Sequence, residues 1–150
     1  AAYVDGTGTG ASFANPLSMT VAPDGNLYVA DFSAHAIRRV TPAGVVTTFA
    51  GNGTTGFADG TGTDARFANP SGITVAADGT FYVSDASNNR IRRISPAGVV
   101  TTLAGAASSG LVDGTGANAR FFVPHGLTLS ADGGMLFIAD GANHAVRVLT

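Results

Sequence analysis

Hydrophobic and polar positions alternate along this chain in short, strand-sized runs, and the runs recur. In Phe67–Gly105 four of them, Ile73–Ala76, Phe81–Asp85, Arg90–Ile94 and Val99–Gly105, are separated by Asp78-Gly79, Ser87-Asn88-Asn89 and Pro96-Ala97-Gly98 turns. One copy precedes this stretch and most of another follows it. Aligned on a Val/Ile-Ala/Ser-Asp motif that ends at Asp31, Asp85 and Asp140, the copies are 54 and 55 residues apart. The extra residue sits in Asp132-Gly133-Gly134, where the other copies have Asp24-Gly25 and Asp78-Gly79. Repeats at such a period are one supersecondary unit stacked on itself. The copies run from about 3 to 56, 57 to 110 and 111 to 150, with no linker or change of composition between them.

The pattern predicts four strands per copy. The first covers 18–22, 72–76 and 126–130, apolar on both sides apart from Thr20, Thr74 and Thr128, as in a strand covered on both faces. An Asp-Gly hairpin turn joins it to the second, at 27–31, 81–85 and 135–140. The third is expected at 36–41, 90–95 and 145–150. The fourth, at 45–50 and 99–104, alternates Val and Thr like a half-wet outer strand, and the third copy stops before it. A Gly-rich connection, such as that over 51–70, joins the copies. Short antiparallel strands with a buried first and a polar fourth describe the blades of an all-β propeller. A β-sandwich stays open as an alternative; solenoid repeats are shorter and pair in parallel.

The segment from Asn69 to Gly105 resembles an NHL repeat, with Ala34-His35-Ala36, Asn88-Asn89-Arg90 and Asn143-His144-Ala145 at the tripeptide position of that family. The preface Asp59–Gly62, Ala65–Phe67, Pro70–Gly72 is similar to long-insert NHL arrays of bacterial proteins. The resemblance covers essentially the whole chain and implies blades of a six-bladed propeller, with a bacterial secreted protein as the expected setting. It implies no single activity, because such propellers serve as protein-binding, RNA-binding and catalytic scaffolds.

Composition narrows the chemistry. All ten acidic residues are Asp and all eight basic ones Arg; Lys, Glu and Gln are missing, and with them the usual surface of a helix. A net charge of −2 offers no field for nucleic acid or an anionic membrane, and no run is long enough to span a bilayer. Without cysteine there are no disulfides, thiolate metal sites or cysteine nucleophiles. Ala1-Ala2 is not itself a signal peptide, one removed ahead of it stays open, and so does the compartment.

Three blades leave an apolar face at each end. Two copies related by a two-fold axis along the channel would make six blades; a piece of a longer propeller is the other reading. In a homodimer, Ala1–Val4 of one copy is expected to cover part of the clipped edge of the third blade.

Candidate residues carry paired readings. His125 enters a first strand where Leu17 and Ser71 stand in the other copies, at the channel mouth. It is a metal ligand or proton carrier, two per dimer, or a turn residue, and the neighbouring positions supply no further ligands. His35 and His144 are read as turn residues bonding backbone. Asp31, Asp85 and Asp140 recur in every copy, which argues for an architectural role: bonding amides of the turn that follows. The Asp-Gly-Thr-Gly loops at Asp5, Asp59 and Asp113 read as bracing turns or as calcium loops, although each offers one or two carboxylates where calcium takes six to eight oxygens. Arg38-Arg39, Arg92-Arg93 and Arg147 lie on third strands, where neighbours point to opposite faces. Half of them are expected to bridge to Asp on an adjacent blade.

The leading expectation is a non-catalytic scaffold with no cofactor. Its contact face for protein or carbohydrate comprises Leu17, Phe32, Arg66, Ser71, Arg90, Arg120 and His125. The alternatives are a lactonase- or lyase-like propeller enzyme with a channel metal, and an engineered fragment without a biological ligand.

Overall fold

Three antiparallel sheets follow one another along the chain in a computed structural model, which describes residues 3–150. Ala1 and Ala2, part of the edge-covering segment expected above, lie outside the described residues. The first sheet holds β1 (Gly6–Thr7), β2 (Pro16–Val21), β3 (Leu27–Asp31), β4 (Ala36–Val40) and β5 (Val45–Ala50), in the spatial order β1-β5-β4-β3-β2. The second repeats it with β6 (Gly60–Thr61), β7 (Pro70–Val75), β8 (Phe81–Asp85), β9 (Arg90–Ile94) and β10 (Val99–Gly105), ordered β6-β10-β9-β8-β7. The third contains β11 (Pro124–Leu129), β12 (Leu136–Asp140) and β13 (Ala145–Leu149) in that order. Single 3-10 turns are the only helical pieces among the described residues, and no helix is long and apolar enough to cross a membrane.

The second strands fall where the alternation places them, except that β12 begins one residue later, at Leu136. First strands begin two residues earlier than expected, at Pro16, Pro70 and Pro124, because proline is tolerated as the opening residue of a strand. A register shift follows each of these prolines, between Pro70 and Gly72 in the central blade. The two-residue strands β1 and β6 were not expected. They come from the Asp-Gly-Thr-Gly loops and pair with the outer strand of their own blade.

Neighbouring blades stack face to face. Ala30, Ile37, Ala50 and Tyr28 of the first sheet meet Ile73, Phe81, Val83, Ile94 and Val100 of the second, with Phe67 from the connection between them. Tyr28, Phe49 and Phe81 form an aromatic trio at centroid distances of 4.4 to 5.5 Å. A second core repeats the arrangement with Ile91, Ala104, Phe121, Leu136 and Ile138. Inner strands β2, β7 and β11 run side by side through both junctions.

That approach is close enough to dictate a residue. A Cβ on Gly72 would run into the His125 carbonyl and the Ser84 hydroxyl, although the backbone there needs no positive φ. Gly72→Ala is therefore expected to cost about 1–3 kcal/mol in urea unfolding by forcing β7 and β11 apart. Gly10→Ala, with open space around it, should change stability little.

Candidate functional site

Each blade buries an arginine on its third strand. Arg38 and Arg92 are fully buried, and Arg147 nearly so. A guanidinium loses its hydration there and must find acceptors in return. Arg92 reaches Asp85 at 2.7 Å on one side and Asp59 at 2.7 Å on the other, and donates to the carbonyls of Arg66 and Ala58 at 3.0 and 2.7 Å. Arg38 repeats this with Asp5 at 2.7 Å and, more loosely, Asp31 at 3.6 Å; Arg147 does so with Asp113 at 2.6 Å and Asp140 at 3.0 Å. Aromatic rings close the remaining side, Arg92 lying 5.1 Å from the Phe67 centroid and Arg147 5.2 Å from Phe121.

These contacts correct two readings. The arginines bridge within their own blade rather than to a neighbour. The carboxylates of Asp31, Asp85 and Asp140 accept from backbone amides ahead of the first strand, Ala14 and Asn15 in blade 1, Ala68 in blade 2 and Phe122 in blade 3, and the turn that follows contributes side-chain amides only. Asn88 and Asn143 add side-chain donors at 2.8 Å to Asp85 and Asp140. The Asp-Gly-Thr-Gly carboxylates bond the buried arginine and, for Asp5 and Asp59, the amide and hydroxyl of Thr48 and Thr102 as well, which braces each loop against its own blade.

Charge states follow from these surroundings. Burial pushes Asp85 above its ordinary value even against its bonds from Asn88, the Ala68 amide and Arg92. Partial burial pulls Asp5 the same way, but the Thr48 amide and hydroxyl together with Arg38 hold it below 3.8.

The residues of the expected contact face divide. Leu17 and His125 are exposed on inner strands, and Arg66 is exposed in the long connection. Phe32 is half-buried where the turn after β3 begins, its carbonyl accepting from Asn69 of the next blade at 3.3 Å. Arg90 stacks over Phe57 at 3.9 Å, and Arg120 folds back onto the Ala119 carbonyl at 2.9 Å. Ser71 does not belong to a surface: it is buried between blades, 3.1 Å from the Pro124 carbonyl and 3.2 Å from the Ser84 hydroxyl. Among the described residues no three His, Cys, Asp or Glu side chains gather to hold a metal.

The family tripeptide has a definite task. His35, Asn89 and His144 occupy left-handed backbone at φ 51, 54 and 53°. The His35 Nδ1 accepts from the Asn69 amide at 3.1 Å, and the Asn89 Oδ1 from the Val123 amide at 3.0 Å. Each latches its blade to the next.

Comparison with known proteins agrees with this anatomy. The NHL repeat family matches residues 13–39 and 67–94, the inner three strands of the first two blades. The chain has an NHL-repeat β-propeller fold. It is 31% identical to NHL repeat-containing protein 2 of Bos taurus over 153 aligned positions, 93% of this chain and 21% of that protein. Against peptidyl-alpha-hydroxyglycine alpha-amidating lyase 1 of Drosophila melanogaster it is 30% identical, over 90% of this chain and 25% of the lyase. Among solved structures, an auxiliary nutrient binding protein from Bacteroides thetaiotaomicron superposes with a TM-score of 0.79 at 26% identity, over 88% of this chain and 36% of that one. The chain thus spans a quarter or less of these two relatives and about a third of the solved protein.

Two outcomes follow from the arginine pairs. Arg92→Ala strands Asp85 in the core and is expected to cost about 3–5 kcal/mol by chemical denaturation. Arg93→Ala, on the opposite face of the same strand and exposed, should cost far less. Asp5 titrates below its unfolded value, so its contribution is complete above 3.8 and is lost as pH falls through the lower folded value. The thermal midpoint should drop as pH is taken below 3.8, and Asp5→Asn should flatten that part of the curve.

Proposed function

We propose that this chain is a non-catalytic propeller module that contributes three blades to a six-bladed ring completed by a second copy. One observation carries the reading: the two end faces are opposite in kind, and each matches a face already packed inside the chain. On blade 1, Met19 is 60% exposed, whereas its counterpart Ile73 in blade 2 is 4% exposed against blade 1. On blade 3, Val146 is 73% exposed, whereas its counterparts Ile37 and Ile91 are fully buried against the next blade. Val21 and Leu17 extend the first patch, and Val148 and Phe137 the second. Exposed apolar surface of this kind is a contact surface. The blade 3 face of one copy fits the blade 1 face of another as blade 1 fits blade 2, and a two-fold axis repeats that contact and closes the ring. His144 stands at the latch position, ready to accept from the amide ahead of a neighbouring first strand.

The remaining contact face joins the exposed Leu17, Arg66 and His125 to the half-buried Phe32, Arg90 and Arg120. It combines apolar and cationic groups suited to a protein or carbohydrate ligand. Kinship with an amidating lyase favours an enzyme as the second reading, with the two His125 of a dimer brought into one channel.

Light scattering at micromolar concentration should give about twice the 14.9 kDa chain mass. Val146→Asp, on the open face and outside the chain's own cores, should return it to one. A stable wild-type monomer sinks the assembly. Stoichiometric metal together with lactonase or lyase turnover that His125→Ala abolishes would replace the scaffold with the enzyme.

A further inference from the structure

Blades 1 and 2 enclose a cavity of about 230 Å³ between their inner hairpin turns, at the opposite end of the strands from the tripeptide latch. Asp24 stands exposed on the rim of one blade and Asp78 on the rim of the other, with Pro23 and Pro96 at the sides. The buried rings of Tyr28 and Phe81 form the floor. They lie 4.4 Å apart between centroids, with Phe49 packed against both. Both walls belong to this chain, so the cavity does not rest on ring closure.

The chemistry of this lining is one-sided. Its only polar side-chain atoms are the two carboxylates and the Tyr28 hydroxyl. That hydroxyl already donates to Asp24 at 2.9 Å, and burial together with this bond pushes Tyr28 up to about 12. The turn amides of Gly25 and Gly79 donate to the Ala22 and Ala76 carbonyls at 2.9 Å. Asn26 holds Asp24 below its ordinary value, donating its side chain at 2.8 Å and its amide at 3.0 Å; the Thr80 amide at 2.8 Å does the same for Asp78. Both are anions at neutral pH, and Arg39 and Arg93 act on them only from a distance. A ligand here must donate, carry positive charge and lay an apolar body on the floor. An anion would meet two carboxylates, and a sugar would bring acceptors to side chains with no free donor. The faces of the two rings favour a cation as well. We propose that the junction of blades 1 and 2 binds a small organic ammonium ion, its body against Tyr28 and Phe81 and its N–H groups between Asp24 and Asp78. The cavity suits a single ring or a short chain, below the ~300–1,000 Å³ of drug-sized pockets. The site is particular to this junction. Between blades 2 and 3, Leu103 and Leu136 stand where Phe49 and Phe81 do here, and the cavity there has no carboxylate in its lining.

The test titrates the isotope-labelled 150-residue chain with 2-phenylethylammonium and follows amide chemical shifts. Two probes of similar shape separate charge from packing: neutral 2-phenylethanol and anionic 3-phenylpropanoate. Saturable shifts are expected at Gly25, Gly79 and Phe81, with a Kd on the order of 1 mM for the ammonium, weaker binding of the alcohol and none of the carboxylate. Asp78→Asn, exposed and outside both cores, should weaken ammonium binding about threefold, and Asp132→Asn in blade 3 should leave it unchanged. Because both walls lie in one chain, the readout is the same on a monomer as on a dimer, so failure of the assembly and failure of the site are told apart. No saturation by about 20 mM, carboxylate binding equal to that of the ammonium, shifts gathered away from the two turns, or unchanged binding by Asp78→Asn overturns the proposal.

Discussion

A charge buried in every blade sets the terms for the rest of this fold. Arg38, Arg92 and Arg147 sit on third strands in the interior, where an unpaired guanidinium would be intolerable. Each is therefore paired from two directions at once: by the aspartate that closes the second strand, and by the aspartate of a loop that precedes the first. The second-strand aspartate also takes up amides from the entry to the first strand. One ion cluster thus ties the preface, the inner hairpin and the third strand into a unit, in a chain with little charge to spare. Such a cluster adds less net stability than an apolar core of the same volume, but removing one partner is costly, and that asymmetry specifies the blade.

Once the blade is specified, stacking follows from its two unlike faces. One face offers the inner valines and isoleucines of strands such as β7 and β8, the other the tyrosine, alanine and isoleucine side chains of β3 and β4, with one phenylalanine wedged between. Because the faces differ, blades add head to tail and the array has a direction. The same property that stacks blades 1, 2 and 3 leaves complementary apolar surfaces at the ends, and the assembly reading grows from it.

Much of this was legible in the residues. The second strands were readable because an Asp-Gly turn opens each and a recurring aspartate closes it, which bounds the alternation on both sides. The family tripeptide was readable by position, though its latching role was not, since the acceptor of Asn69 lies 34 residues away on another blade. The first strands began early because proline followed by a register shift hides their opening from a simple alternation count. Ser71 looked like a surface position for the same reason: aligned with Leu17 and His125, it carries nothing to show that its copy alone is covered on both sides. The arginine pairs left a trace that spacing could have revealed. Arg38 and Arg92 each stand 33 residues after Asp5 and Asp59, and Arg147 stands 34 after Asp113.

What the sequence determined by itself was the repeat, its four-strand rhythm and its all-β character, because strand alternation and Gly-rich turns act between near neighbours. Tertiary structure alone decided which charges meet, which of three equivalent positions is buried, and which faces stay open. Those outcomes depend on groups brought together from as far as 53 residues apart in the chain, where only packing chooses the partner.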